Sequence, residues 1–196
     1  MVYSFAMTPS VDSAHFRSVM GQVPTSVVVV TGFDAAGEPH GITIGSFVSV
    51  SLQPPLVGFF PALDSVTWAA IEPSGTFCVN VLRADQADLC WQFAKEADHR
   101  FQGVAWAPSP NGSPILEGCI AWIDCTVHSV TEVGDHYFVV GDVVHMAHHD
   151  EVHMAHHDEV HMAHHDDAAH SVNDTQSADA MIFYRGKVSS AGIATH

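Results

Sequence analysis

The sequence predicts a mainly β protein, a closed or partly open barrel of about six to seven strands with a few helices packed outside it. Apolar runs rich in β-branched residues recur at regular intervals, bounded by Gly, Pro and Asp, and few helical segments separate them. The sequence also lacks the GxGxxG and GxxxxGK[ST] motifs that cradle phosphates in parallel dinucleotide-binding folds. An antiparallel barrel therefore accounts for the pattern better than a parallel sheet does.

Seven runs have the composition of strands. They lie at residues 27–32, 42–52, 56–60, 76–82, 120–130, 137–145 and 180–184. Three segments between them favour helices. Residues 13–21 begin with the capping residue Ser13 and end at Gly21, residues 64–71 open with Asp-Ser, and residues 84–95 carry three large apolar side chains.

Composition restricts the partners of this chain. Its 196 residues are enough for one domain with a substantial core, and we expect residues 1–196 to form a single domain. Six basic residues against 22 acidic ones give a formal charge of −16, which repels nucleic acid and anionic membrane surfaces. We therefore expect neither as a partner.

The location is predicted from what the sequence lacks. The N-terminal residues show no basic region followed by a long apolar one, so no signal peptide is predicted. No apolar run approaches the roughly 20 residues that a membrane-spanning helix needs. The four cysteines show no CxxC spacing and are expected to be reduced thiols. These observations predict a cytoplasmic protein.

An eight-residue unit is repeated three times in residues 143–166, which read VVHMAHHD, EVHMAHHD and EVHMAHHD. A polar run follows, so we expect an insertion over residues 143–179, before the last strand. Near-perfect repetition is typical of a recent tandem duplication in a loop that tolerates extra length. A solvated loop or an extended hairpin is the leading interpretation.

The repeat also carries the ligand types that zinc and nickel prefer, imidazole and carboxylate. A structural metal site needs a closed set of about four ligands, however, and not an open tract. No metal site is therefore predicted with certainty, and the candidate ligands are His145, His148, His149, His153, His156 and His157. A response of these imidazoles to pH is a further, weaker hypothesis.

Residues 43–51 suit one wall of a flavin site. An isoalloxazine ring needs backbone hydrogen-bonding groups along one edge and an apolar wall, and its phosphate needs hydroxyls or free amides. This segment alternates small polar with apolar residues, which would place Ser49 and Ser51 on one face of a strand. Asp64, Ser65 and Thr67 follow nearby. Taken alone, the same pattern fits a serine-rich edge strand and a capped helix equally well.

The motifs FRSVMGQVPTSVVVVTG, GITIGSFVSVSLQPPLVGFF and DSVTWAAIEPSGTFCVNVL occur in this order, and FAKEADHRFQGV, GDHYFVVGDV and MIFYRGKV follow. Together they resemble the flavin reductase-like family with the FMN-binding split barrel. The resemblance implies a split β-barrel with Greek-key strand order. It also implies a reductase that uses NADH or NADPH to reduce FMN or FAD for a separate flavin-dependent monooxygenase, usually as a homodimer with the flavin near the dimer interface.

Position by position, the resemblance implies three groups of contacts. The ring and ribityl chain would lie among residues 24–26 and 43–51, the phosphate near Ser65 and Thr67, and the nicotinamide near the end of the chain. No catalytic acid is assigned, and His136 is the best candidate for positioning the nicotinamide, although a turn histidine is an equally good interpretation. The implied cofactor-binding residues are Thr25, Ser26, Thr43, Ile44, Gly45, Ser46, Ser49, Val50, Ser51, Ser65, Thr67, Asn80, Arg100, His136, Tyr184 and Arg185.

Arg100, Arg185 and Lys187 are also expected near an anionic dinucleotide because basic residues are scarce in this chain. For Arg100 the alternative is a solvated ion pair with Asp98. Two positions depart from the family pattern. Ser26 stands where glycine is common, and Leu63 stands where a basic residue is common. Both departures favour a loosely held flavin.

Two alternatives to a flavin reductase remain open from sequence. The same barrel would hold FMN tightly as an electron-transfer protein, or the chain would buffer metal ions through its repeat. Stoichiometric flavin without NADH turnover would indicate the first. Unchanged reductase activity after deletion of residues 151–166 would argue against the second.

Overall fold

The fold is seen in a computed structural model that describes residues 11–95, 99–148 and 179–191. The helices are α1 (Ser13–Met20), α2 (Val66–Ile71) and α3 (Ala87–Ala94), and a 3₁₀ turn spans Glu72–Ser74. The strands are β1 (Thr25–Ser26), β2 (Val28–Phe33), β3 (Pro39–Ile44), β4 (Val48–Leu52), β5 (Pro55–Phe59), β6 (Thr76–Val81), β7 (Trp106–Pro108), β8 (Pro114–Leu116), β9 (Ala121–Val133), β10 (His136–His148), β11 (Met181–Tyr184) and β12 (Lys187–Ser190).

Seven strands form one antiparallel sheet in the order β3-β2-β6-β9-β10-β5-β4. Its two edge strands, β3 and β4, are joined directly by residues 45–47. In a flat sheet those edges would lie about 29 Å apart, at about 4.8 Å per strand. Four virtual bonds span at most about 15 Å. The sheet must therefore curl until its edges approach, which produces a barrel that is split between β3 and β4.

The strand β2 separates two cores. Val28 and Val30 face the barrel interior, where Phe59, Trp68 and Phe77 pack edge to face. Alternate residues of an extended chain point to opposite faces. Val27 and Val29 accordingly face a second core, formed with α3, β8 and β11. The apolar run that predicted this strand is continuous because both faces of the strand are buried.

The second core binds the end of the described chain to the barrel. Strand β1 pairs with β11, and β11 pairs with β12, in a separate three-stranded sheet. Met181 is 1% exposed and belongs to this core. The backbone of Met181 donates to Leu82 O, and Ala84 N donates to Asp179 O. The C-terminal hairpin is therefore attached beside β1 and α3.

The predicted fold class is confirmed: the chain is mainly β, with a seven-stranded antiparallel barrel and few helices. The prediction of one strand over residues 42–52 is wrong, because the chain leaves β3 after Ile44 and enters β4 at Val48. The helix over residues 13–21 is capped by Asp12 and not by Ser13, since the Asp12 carboxylate accepts from His15 N at 2.9 Å.

The start of the repeat belongs to a strand. Strand β10 continues to His148 and pairs with β9 as far as Ala121, so residues 143–148 are part of the sheet. His149, His153, His156 and His157 lie outside the described residues. Within the described ranges, no group of three or more His, Cys, Asp or Glu side chains is arranged to hold a metal ion. No helix in the described part of the chain has the length and apolar character needed to cross a membrane.

Candidate functional site

A groove of about 480 Å³ opens where the barrel is split, between the end of β3 and the segment that follows β5. Residues of β3 and the two that follow it form one side, and apolar residues after β5 form the opposite side. Strand β3 lies at the edge of the seven-stranded sheet, so it pairs with β2 alone in that sheet. The lining residues are Thr25, Ile42, Thr43, Ile44, Gly45, Ser46, Phe60, Pro61, Ala62 and His136.

Ser46 fastens the two sides of this groove. Its Oγ atom accepts a hydrogen bond from Phe60 N at 3.0 Å and donates to Phe60 O at 3.3 Å. A serine hydroxyl can do both at once, so it replaces the pair of hydrogen bonds that a neighbouring strand would make. The groove keeps its width although β3 and β5 are not paired there.

Gly45 keeps the floor of the groove open. A Cβ atom at this position would lie 3.1 Å from Thr25 Oγ1. Thr25 itself is fixed by pairing with Phe183 in the small sheet. A larger residue at position 45 would therefore push Thr25 outward or fill the space that a planar ring would use.

His136 lies at the mouth of the groove. Its Nδ1 atom is 2.7 Å from Asp135 Oδ1, and its side chain is 43% exposed. The hydrogen bond with His136 is the main reason that the pKa of Asp135 lies below its ordinary value. Backbone hydrogen bonds from Tyr137 N to Pro61 O and from Leu63 N to Asp135 O attach this hairpin to the groove wall. The imidazole is thereby held at a fixed place beside Pro61.

Thr67 and Arg100 meet in a second cleft of about 470 Å³, which also includes His40 and His99. The guanidinium Nη1 donates to Gly41 O and to Thr67 Oγ1, both at 2.8 Å. Its Nε and Nη2 atoms donate to Lys95 O. Burial lowers the pKa of Arg100. Arg100 therefore joins β3, α2 and the end of α3, and most of its donors are used inside the protein.

Tyr184 and Arg185 lie at the turn of the β11–β12 hairpin, away from the lining of the groove. The guanidinium lies 5.1 Å from the centre of the Tyr184 ring, and its Nε donates to Gln22 Oε1 at 2.8 Å. Arg185 adopts a left-handed backbone with φ of 51° and precedes Gly186. Ser26 pairs with Ile182 at the base of the same small sheet.

The structure places Asn80 in the interior of the fold and not in the groove lining. Its side chain is completely buried, donates to Val29 O and Thr31 Oγ1, and accepts from Leu116 N at 2.8 Å. An amide so engaged is not free to bind a phosphate. Asn80 instead ties β6 to β2 and β8, and its importance is structural.

Ser49, Val50 and Ser51 do not line the groove either. They belong to the edge strand β4, where pairing with β5 shifts by one residue between Ser49 and Ser51. This bulge breaks the simple alternation that placed both serines on one face. Ser65 caps α2 by accepting from Trp68 N at 3.2 Å and is outside the groove lining as well.

Six predicted residues are thus brought together: Thr25, Thr43, Ile44, Gly45, Ser46 and His136. The sequence missed the opposite wall, made by Phe60, Pro61 and Ala62. Pro61 ends an apolar run, which marks the end of a strand, but nothing in its neighbourhood shows that it faces Gly45. The GDH motif is the signal that could have identified Asp135 as the partner of His136.

The groove suits a flavin ring. It combines an edge strand, a glycine floor and an apolar wall, and these are what a planar heterocycle with a hydrogen-bonding edge needs. The region expected to hold the flavin phosphate has fewer suitable groups than the region expected to hold the ring. Leu63 donates its backbone N–H to Asp135 and presents an aliphatic side chain, 40% exposed. The residues therefore fit the ring better than they fit a phosphate.

Comparison with known proteins agrees with this geometry. The model of the flavin reductase like domain family matches residues 20–191. A flavin reductase of Pseudomonas putida is 51% identical over 134 residues, which are 68% of this chain and 79% of that protein. The reductase subunit HsaB of a flavin-dependent monooxygenase from Rhodococcus jostii is 46% identical over 134 residues, or 68% of each chain.

Solved structures of similar proteins indicate the same family. Component B of nitrilotriacetate monooxygenase from Mycobacterium thermoresistibile superposes with a TM-score of 0.76 at 34% identity, over 94% of this chain and 92% of that one. The NADH:FAD oxidoreductase of Streptomyces globisporus, in complex with NAD and FAD fragments, superposes with a TM-score of 0.73 at 29% identity over 93% of each chain. The predicted family is confirmed, and this chain belongs to the flavin reductase like domain family.

Proposed function

We propose that this protein is an NAD(P)H-dependent flavin reductase whose reaction takes place in the groove at the split of the barrel. The observation that carries the proposal is the juxtaposition of Gly45 and Ser46 on one wall with His136 at the mouth. A bound flavin supplies the hydride-accepting ring. The similarity to flavin reductases and to monooxygenase reductase subunits supports the same activity.

The protein's own groups position the flavin and nicotinamide rings and exclude water from the groove. No side chain is assigned a proton transfer. The edge backbone of β3 and the wall around Pro61 fix the plane of a ring, while His136 guides the second ring onto its open face. The fixed Asp135 contact holds the imidazole in one orientation. Its Nδ1–H donates to the Asp135 carboxylate, so Nε2, which makes no hydrogen bond among the described residues, is available to accept from the N–H of a carboxamide.

The reduced flavin is released to a separate flavin-dependent monooxygenase. Weak retention is what the groove favours, because the site has an apolar Leu63 where a phosphate would need a cation. The proposed reaction includes both FMN and FAD as flavin substrates. It includes both NADH and NADPH as hydride donors.

The test is aerobic NADH oxidation by the purified full chain with and without added FMN, FAD or riboflavin. We expect oxidation that depends on added flavin, and the same rate after deletion of residues 151–166, since the groove lining lies outside that segment. A yellow purified protein that holds stoichiometric FMN but does not oxidise NADH would instead indicate an electron-transfer protein. A rate that falls with the deletion, and that also falls when the intact chain is treated with a zinc chelator, would favour a role for the repeat.

The proposal includes a homodimer. Helix α1 has no buried residue in the single chain, and Phe16, Val19 and Met20 are 56%, 52% and 48% exposed. An apolar helix face of this kind is expected to be covered by another surface. Sedimentation should give a dimer that Phe16→Glu dissociates, whereas Phe16→Leu, which keeps an apolar side chain at the same position, should leave it intact. A monomeric wild-type chain would refute this part.

A cytoplasmic location completes the proposal. The four cysteines are free thiols, and all are buried. Burial raises the pKa of Cys119 to about 11 and that of Cys125 to about 12, so neither is a reactive thiolate near neutral pH. Fractionation of the cells that produce the protein tests the location, and recovery with the membrane or secreted fractions would contradict it.

A further inference from the structure

A second cavity, of about 270 Å³, lies directly behind the flavin groove. The two share the end of strand β3, where Thr43, Ile44 and Gly45 contribute to both linings. Helix α3, strand β11 and Val27 supply the remaining wall of this cavity. We refer to it as the aromatic slot, because Trp91 of α3 and Phe183 of β11 line it.

Both aromatic side chains are partly open to solvent. Trp91 is 39% exposed and Phe183 is 37% exposed, whereas their neighbours Cys90 and Met181 are buried. Large aromatic groups left open to solvent beside a cavity indicate a surface that a ligand or partner covers. The remaining lining is aliphatic or thiol, from Val27, Cys90 and Ala94.

The hydroxyl group in the slot lining is already hydrogen-bonded within the protein. The Thr43 hydroxyl donates to Cys90 O at 2.7 Å, which holds α3 against β3. A ligand in the slot would therefore be recognised by its shape and by stacking, with its polar edge left in water. The volume is below the range of about 300–1,000 Å³ that is typical for drug-sized ligands. It suits one bicyclic ring.

Such a ring is available in the proposed reaction. FAD and the nicotinamide dinucleotides each carry, besides their reactive ring, an adenine joined through a diphosphate. A molecule that placed its reactive ring in the groove would reach the slot by passing the end of β3, since the two cavities share that strand end. Lys95 follows the slot residue Ala94 and is exposed, which puts one of the six basic residues of the chain beside the slot.

We propose that the aromatic slot formed by Trp91 and Phe183 binds the adenine ring of a dinucleotide substrate. This inference rests on the proposed reductase function and adds a specificity site to it. Stacking on an aromatic side chain tolerates any base, so affinity here comes from ring area and not from base-specific hydrogen bonds.

Binding of AMP to the full chain, measured by calorimetry, tests the slot without any turnover. We expect AMP to bind the wild type, and Trp91→Ala to weaken binding by about 5- to 150-fold, the equivalent of one stacked base. Trp91→Phe should retain most of the affinity. Trp106→Ala is the matched control, since Trp106 is also 39% exposed but contacts Phe33 and Phe101 instead of the slot.

Steady-state kinetics then identify the dinucleotide. If the adenine belongs to FAD, Trp91→Ala raises KM for FAD and leaves KM for FMN unchanged. If it belongs to the donor, the same variant raises KM for NADH with FMN as acceptor but not KM for reduced nicotinamide mononucleotide. Thermal unfolding of each variant separates these effects from misfolding.

Two outcomes would overturn the inference. The first is AMP binding to Trp91→Ala as tight as to the wild type. The second is an equal rise in KM for FMN and FAD in this variant while the dimer dissociates, which would make the slot part of a protein interface. Absence of flavin-dependent NADH oxidation, with AMP binding intact and dependent on Trp91, would instead refute the proposed function and leave the slot standing.

Discussion

The hydroxyl of Ser46 is hydrogen-bonded to both the N–H and the C=O of Phe60, 14 residues further along the chain. This pair spans the split in the barrel at the groove. The Ser46 side chain connects the two sides by hydrogen bonds, as strand pairing does elsewhere in the sheet. The outer edge of β3 is thereby left open to a ligand.

Replacement of Ser46 by alanine should widen the groove and weaken flavin binding. Phe60 N would lose its partner, so we expect a loss of about 1–3 kcal/mol in the free energy of unfolding and a higher KM for flavin. Urea unfolding and steady-state kinetics measure the two effects. Ser74→Ala is the matched control, since Ser74 makes a similar pair of hydrogen bonds with Ile71 O and Thr76 N and is not part of the groove lining. Equal changes in KM for both variants would contradict the role of Ser46.

Loss of His136 should affect the nicotinamide substrate more than the flavin. We expect His136→Ala to lower kcat/KM for NADH by about tenfold or more, with a smaller effect on KM for flavin, because the imidazole stands at the mouth of the groove. His128 is a close control: it pairs with Asp142 at 3.0 Å on the same hairpin and is 48% exposed. If His128→Ala had the same effect, the position of His136 would carry no special role.

Acidification should remove the contribution of the Asp135 carboxylate to stability. The hydrogen bond with His136 lowers the pKa of Asp135 in the folded chain below its ordinary value of 3.8. Ionised Asp135 therefore stabilises the fold at pH values above its unfolded-state pKa, and that contribution disappears as the pH falls through the lower folded-state pKa. Urea unfolding of the wild type and Asp135→Asn between pH 7 and about pH 3 should give curves that converge only at the acid end. Convergence near neutral pH would show that the contact is absent in solution.

Arg100 should prove structural and not a ligand for the dinucleotide. Arg100→Met removes hydrogen bonds to Gly41 O, Thr67 Oγ1 and Lys95 O, so we expect a loss of about 2–3 kcal/mol in the free energy of unfolding. KM for NADH should change little. Arg83→Met, which breaks an exposed pair with Asp85, should cost under about 1 kcal/mol. A stable Arg100→Met with a strongly raised KM for NADH would restore the anion-binding role expected from sequence.

The barrel was predictable because its strands carry their own signal. The run that contains Val28 and Val30 has the length and β-branched content of a central strand, and Ser65 before an apolar turn marks the start of α2. Both signals depend only on neighbouring residues, so the sequence alone is enough to predict these elements. The family motifs added strand order and the position of the groove.

The break between β3 and β4 was not predictable from its own residues. Gly45 and Ser46 fit a strand as well as a turn, and the partner that stops the strand, Phe60, is remote in sequence. The interior position of Asn80 was not predictable for the same reason. Its position in the FCVNVL motif is consistent with a ligand contact, and only the fold shows that Thr31 and Leu116 already occupy its amide. Long-range side-chain pairing is what the sequence does not contain.

Flavin reduction by this protein is tested most directly by anaerobic mixing of the full chain with NADH and oxidised flavin, followed by the visible absorbance of the flavin. We expect the protein to bleach one flavin for each NADH consumed, much faster than the two react without it, and His136→Ala to slow this single turnover. Bleaching no faster than in the absence of protein, with FMN, FAD and riboflavin alike, would contradict it.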